Sequence, residues 1–263
     1  MKVTTAKIII LSTLLLLPGF LCAQDPGYLD SKKNIIEQFK GRIPQEWGEK
    51  LPGVKTRLNT NDKVLALTFD ACGSKNDGYD EQLINFLIAQ KVPATLFINS
   101  RWIDKYPEHF KNLVANNLFE IENHGLNHKP ASVNGKSQYG IKGTASVDEL
   151  FDEVEKNALK IETLTGKKPH FYRSGTAYYD DVAVDVIDAL GYEIAGFSVL
   201  GDAGATYKKE QVKEALLSAQ PGSIVICHMN HPEGETAEGI IEAIPLLKQQ
   251  GFKFVTLSAY EIE

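Results

Sequence analysis

Four side chains able to do chemistry stand at or just past the ends of short apolar runs: Asp70, His124, Arg173 and His228. The runs are 64–69, 118–121, 171–172 and 224–227. Each reads as a strand, because short unbroken apolar runs suit parallel strands covered on both faces. In parallel α/β folds the carboxyl ends of the strands share one face, and chemistry gathers there. The pattern predicts that a carboxylate, two imidazoles and a guanidinium converge from distant segments.

His124 and His128 lie in Glu122-Asn123-His124-Gly125-Leu126-Asn127-His128. One turn of chain after a strand puts both imidazoles on one side. Two neutral imidazoles suit zinc, cobalt, nickel or another divalent transition metal. The plain alternative is a pair of surface histidines, against which the position just past a strand end counts. Asp70 closes a strongly apolar strand, where an unpaired carboxylate is costly to bury; its other role would be to cap a loop or helix. Arg173 can hold a carboxylate through two hydrogen bonds, and Asp70 is its expected partner, with a surface ion pair as the alternative. His228 suits proton donation to a departing amine near neutral pH. Its alternatives are a structural histidine and, for the same role, His231 in the loop that follows. His109 and His170 are peripheral. Trp102, Tyr178, Tyr179 and Tyr207 fall in or near loops of the same face, where flat rings can stack on sugars, although aromatics at strand ends more often pack.

These residues need a frame. Further apolar runs at 94–98, 194–199 and 254–257 bring the strands to seven, with the fourth of the first set extended to 223–227. Helical spacing of apolar residues appears at 80–90, 181–190, 209–219 and 237–250, and Pro245 inside the last predicts a kink or break. The clearest helix starts at Ser146, which forms a Ser-x-x-Glu capping box with Glu149, and Gly166 follows its end. Strands alternating with helices predict a barrel or an open α/β sheet. Residues 24–62 are polar, with Pro26, Pro44 and Pro52, and hold one short helix at 31–39: an arm packed on the main domain, 63–263. Residues 129–145 form a long polar loop, a frequent companion of functional sites.

The 263 residues suffice for one large domain with an arm. Lys2 and Lys7, an apolar stretch over 8–17, Pro18-Gly19 and the small Ala23 give residues 1–23 the form of an export signal, cleaved to leave a periplasmic or secreted protein. The apolar stretch is short for a membrane span, no second one follows, and bulky Leu21 argues against a lipoprotein site at Cys22. Cleavage leaves 26 basic against 34 acidic side chains, a net charge of −8, which disfavours nucleic acid as a partner. Cys72 and Cys227 remain, each beside a chemical residue. An oxidising compartment allows them to pair, but two small buried thiols is the preferred reading.

In order, Thr68-Phe69-Asp70, the stretch 120–128, Leu164 to Pro169 leading into Arg173, and Ile226-Cys227-His228 resemble the polysaccharide deacetylases, the NodB-type carbohydrate esterases of family four. The likeness spans residues 63 to 258. It implies a distorted (β/α) TIM-like barrel of about seven parallel strands and metal-dependent removal of N-acetyl groups from an amino-sugar glycan. The cation would sit on His124 and His128, with Asp70 as base, Arg173 orienting it and His228 as acid. The Thr176 amide would help hold the oxyanion, and Ile226 would line the pocket for the acetyl methyl.

Three departures stand out. Ala71 occupies the position of the family's metal-binding Asp, which leaves water, Asp70, Asn76, Asp77 or Asp80 as a third ligand, Asp80 being better suited to cap its helix. Arg-Ser-Gly-Thr replaces Arg-x-Pro-Tyr. The segment that supports the catalytic histidine has no clear equivalent, Asp202 being the nearest acid. A glycan deacetylase is the favoured activity; a glycan-binding pseudo-enzyme and a hydrolase of non-sugar linear or cyclic amides are the alternatives.

Overall fold

Eight consecutive residues, Val64–Ala71, are all buried and run as one strand through the centre of the molecule. A computed structural model describes residues 26–263; the expected export signal lies outside the described residues. The strands are β1 (Trp47–Gly48), β2 (Val54–Lys55), β3 (Val64–Ala71), β4 (Ala94–Ile98), β5 (Phe119–Asn123), β6 (Ser137–Gln138), β7 (Ile141–Lys142), β8 (Phe171–Tyr172), β9 (Tyr179–Asp180), β10 (Glu193–Ala195), β11 (Val199–Leu200), β12 (Ser223–His228) and β13 (Lys253–Val255). The main sheet runs β11-β12-β3-β4-β5-β8-β10-β2, with β13 also on β3. All of its pairings are parallel.

The connectivity shows that this sheet curls. β10 and β11 are far apart in the strand order, yet only residues 196–198 join them. Four Cα steps reach at most ~14 Å. Along that link the Gly196 N–H donates to Lys55 O of β2 (2.7 Å), and the Ser198 N–H donates to Ile224 O of β12 (3.0 Å). The link thus stitches the two edges of the sheet together, which makes the expected distorted (β/α) barrel.

Alternation along the strands sorts side chains into two cores. From β3 and β12, Leu65, Leu67, Phe69, Ala71, Val225 and Cys227 point outward into a buried layer shared with the helices. Val64, Ala66, Ile224 and Ile226 point inward, where Phe97, Phe171 and Leu257 fill the barrel. Thr68 and Asp70 continue the inward set towards the carboxyl ends.

The helices are α1 (Pro26–Gln38), α2 (Glu81–Ala89), α3 (Ser100–Lys105), α4 (Pro107–Val114), α5 (Val147–Thr165), α6 (Asp181–Ala189), α7 (Lys209–Leu217) and α8 (Thr236–Gln249). Local chemistry sets their ends. Ser146 Oγ accepts from the Glu149 N–H (3.1 Å), and Gly166 closes α5 at φ 74°. Glu149 itself reaches the Ala145 N–H, one residue earlier than a reciprocal capping box requires.

Several expectations are corrected. The strand expected at 194–199 splits, because the carbonyls of Ala195 and Gly196 accept from the Arg173 guanidinium instead of a neighbouring strand. The strand expected at 254–257 stops at Val255, and Leu257 opens a 3-10 turn whose N–H donates to Thr95 Oγ1 (2.9 Å). Pro245 does not break α8, which runs unbroken from Thr236 to Gln249 with Ala243, Ile244 and Leu247 buried around the proline. Helix α1 covers Pro26–Gln38 rather than 31–39, and α3 and α4, not expected from the sequence, are only six and eight residues long. The arm does more than pack: Tyr28 and Lys32 of α1 bond Asp152 of α5, and β2 supplies the edge strand beside β10. The 129–145 loop contains the antiparallel β6–β7 hairpin.

Candidate active site

Arg173 organises the mouth of the barrel. It follows β8, its own N–H donates to Asn123 O of β5, and its side chain is fully buried. Nη1 donates to Asp70 Oδ1 (2.8 Å) and Thr68 Oγ1 (2.9 Å), Nε to Ala195 O (2.9 Å) and Nη2 to Gly196 O (3.1 Å). The Phe97 ring lies 4.2 Å beneath the guanidinium carbon. A buried guanidinium is tolerable only when its donors are matched this fully. Burial alone would raise the Asp70 carboxyl; the Arg173 guanidinium outweighs it and holds Asp70 below the usual carboxylate range.

His124 sits just past β5. Its Nδ1 is 2.9 Å from Arg173 O. A carbonyl can only accept, so the proton is on Nδ1 and the Nε2 lone pair is free. Nε2 faces Asp70 Oδ2 at 3.6 Å and Cys72 Sγ at 3.8 Å. The His128 ring meets it edge-on at 4.9 Å. Burial lowers both histidines, and for His128 the neighbouring His124 adds to the effect, so both are neutral imidazoles.

The loop between them is held by Glu153 of α5. Glu153 Oε1 accepts from the N–H groups of Asn127 (2.8 Å) and Lys129 (3.2 Å), and Glu153 O accepts from Leu126 (2.9 Å). Gly125 turns the chain at φ 77°, where a Cβ would lie 2.6 Å from that same Oε1. Gly175 presses on the His128 backbone so closely that a Cβ would meet His128 C at 2.2 Å.

His228 closes β12, directly across from Asp70 on β3. Its Nδ1 is 2.8 Å from Asp202 Oδ1, and its backbone N–H donates to Asp202 Oδ2 (2.7 Å). Asp202 is fully buried and also accepts from Thr236 Oγ1 (3.0 Å). Burial works against the imidazolium, but Asp202 prevails and raises His228 to about 9.

The other expected residues separate. Ile226 is buried in the barrel interior, one inward position below His228. Thr176 lies in the turn after Arg173; its amide has no protein acceptor among the described residues, and its buried Oγ1 is unpaired. Tyr178 is half-buried against Trp47 of the arm (5.7 Å) and Tyr139 of the β6–β7 hairpin (5.8 Å). Trp102 is corrected: it is fully buried in the helix layer with its indole N–H on Gly78 O (2.9 Å), out of reach of any substrate. Tyr179 accepts from the Ser174 N–H in the interior, and Tyr207 packs on the helix layer. His231 bonds Glu233 in its loop.

Of the expected third ligands, Asp70 lies beside the histidines, its Oδ2 3.6 Å from His124 Nε2, while the three loop candidates are placed elsewhere. Asp80 caps α2, Asp77 is occupied by Ser74, and Asn76 is exposed. Instead the donor atoms of Cys72, His124 and His128 all lie within 4.8 Å of one another. Cys72 is free and buried, as is Cys227. Strand alternation sends Cys227 into the helix layer, away from this cluster. Two neutral imidazoles and a thiol, with a carboxylate alongside, form a donor set suited to a divalent transition metal. Sequence reasoning missed Cys72, Glu153, Gly175, Trp47 and Tyr139. The first was detectable: inward positions of β3 are even-numbered, and 72 continues 66, 68 and 70.

The sequence profile of the family described as "Polysaccharide deacetylase" matches residues 57–195, just over half of the chain. The peptidoglycan-N-acetylglucosamine deacetylase of Bacillus cereus is 26% identical over 209 residues, 78% of this chain and 91% of that one. A family 4 acetyl xylan esterase from Clostridium thermocellum, solved with a cobalt ion, superposes with a TM-score of 0.61 at 24% identity, over 75% of this chain and 89% of that one. BA3943 of Bacillus anthracis, described as a CE4 family pseudoenzyme, superposes with a TM-score of 0.66 at 24% identity, over 88% and 81%.

Proposed function

The chain belongs to the polysaccharide deacetylase family, and on that premise we propose that it is an exported, metal-dependent hydrolase removing N-acetyl groups from the amino sugars of a glycan. One observation carries the reading. Asp70 and His228 face each other across paired strands, and their surroundings push their proton affinities in opposite directions. Titratable groups driven apart in this way divide into base and acid.

Arg173 takes Asp70 Oδ1 and leaves Oδ2 turned towards His124. Held ionised, Asp70 accepts a proton from the attacking water. His228, held protonated by Asp202, gives a proton to the leaving amine nitrogen. The unpaired Thr176 amide donates to the oxygen that gains charge during attack. Ile226 supplies an apolar floor for the acetyl methyl. His124 and His128 would hold the cation, zinc above all and cobalt or nickel otherwise. When bound it supplies a Lewis acid that polarises the amide carbonyl and makes water a stronger acid.

An aromatic trio favours a sugar over a non-sugar amide. Trp47 and Tyr139 both lie against Tyr178, which is two residues along the chain from Thr176, and Tyr139 is 71% exposed. Such rings offer apolar faces with polar rims. The net negative charge of the chain argues against nucleic acid. No described helix is long and apolar enough to cross a membrane.

A glycan-binding pseudo-enzyme is the second reading, favoured by Ala71 alone. Acetate release decides between them. The purified protein is incubated with acetylated chitooligosaccharides and with peptidoglycan, with and without added zinc or cobalt. Metal-stimulated acetate is expected. Binding without acetate across the panel would leave the pseudo-enzyme. Cell fractionation tests export: the mature protein is expected outside the cytoplasm and beginning near residue 24.

A further inference from the structure

We infer that Cys72, as its thiolate, is the third protein ligand of the cation held by His124 and His128, and that it replaces the carboxylate missing at Ala71. The inference rests on the metal reading above and deepens it.

Backbone direction excludes Ala71 itself. β3 continues through Ala71, which points outward, fully buried among Leu67, Phe69 and the helix layer. A longer side chain there would enter the apolar layer and not the barrel mouth. The next residue faces inward, and it is Cys72. Gly73 then turns the chain at φ 78°, pressed so tightly on α3 that a Cβ would meet Trp102 N at 2.3 Å. That packing fixes where Cys72 points.

The geometry is that of shared ligation. Cys72 Sγ lies 3.8 Å from His124 Nε2, the nitrogen that carries no proton. A tetrahedral centre with ordinary zinc–sulfur and zinc–nitrogen bonds separates such atoms by roughly 3.6 Å. Two imidazoles, one thiolate and an open position form a donor set typical of catalytic zinc, and sulfur disfavours magnesium, calcium and manganese. Cation uptake displaces the thiol proton to solvent.

Cobalt(II) titration of metal-stripped protein tests this without turnover. The wild-type protein is expected to bind one cobalt and to develop a near-ultraviolet thiolate-to-cobalt charge-transfer band. Cys72→Ala is expected to lose the band and at least ~10-fold in cobalt affinity. Cys72→Asp is expected to bind cobalt without the band, and Cys227→Ala to keep both. Cobalt bound by the wild type with no such band, or a band surviving Cys72→Ala, would overturn the assignment. No cobalt uptake by the wild type would overturn the metal reading and this inference with it. Ala71→Asp in the Cys72→Ala background is expected not to restore binding; restoration would return the role to position 71.

Discussion

The division of labour between Asp70 and His228 depends on their immediate partners. Asp70→Asn should lower acetate release by ~10²–10⁴-fold, while cobalt uptake, read from the absorption spectrum, persists. Loss of the metal as well would make Asp70 a ligand rather than the base. Asp202 raises His228 to about 9, so the imidazolium survives below that pH and is lost above it. The alkaline limb of kcat/KM should therefore fall near pH 9, and Asp202→Asn should move it towards the ordinary histidine range. An unmoved limb would pass the proton-donor role to another group. At this scale the sequence is informative where a residue's type contradicts its place. A carboxylate, a guanidinium and imidazoles at the ends of apolar strands cannot be core filling. Cys72 escapes because a buried cysteine is chemically unremarkable, and only strand parity singles it out. Trp102 misleads for the reverse reason: a place near the active face says nothing about which way the indole turns, and in α3 it turns into the helix layer.

Elements decide what those residues can reach. The His124–His128 loop owes its shape to Glu153 and to two backbone approaches that only glycine allows, at Gly125 and Gly175. Gly175→Ala should cost roughly 1–3 kcal/mol in chemical denaturation and should weaken cobalt binding, because relief of the clash displaces His128. Unchanged affinity would show that the loop does not depend on this contact. Ala71→Asp should destabilise by at least ~3 kcal/mol, since it drives a carboxylate into the layer between β3 and the helices; a neutral outcome would contradict the outward orientation. Elements with strong periodicity, such as α5 with its Ser146 cap and Gly166 stop, are legible from sequence. The split at Ala195 is not. It arises because a side chain from another strand claims the carbonyls, a tertiary event that leaves no local trace.

Across the whole molecule, the arm is part of both the barrel and the surface beside the site. Val54–Lys55 supplies the edge strand, and Trp47 joins Tyr139 and Tyr178. Trp47→Ala should raise KM for long oligosaccharides by ~2–10-fold and leave kcat little changed, with monomeric N-acetylglucosamine insensitive; an equal effect on both substrates would make the ring a packing element. The barrel is legible from the alternation of strands and helices, but the joining of the arm is not, because its strand has only two residues.

One contact serves two purposes. The guanidinium that keeps Asp70 charged also grips a stretch of chain that joins the two edges of the barrel. Catalytic competence and closure of the cylinder are thus interlocked. A fluctuation that parts the seam deprives the base of its counter-charge before the core is breached, so in rising denaturant the enzyme should fall silent while its helices still stand.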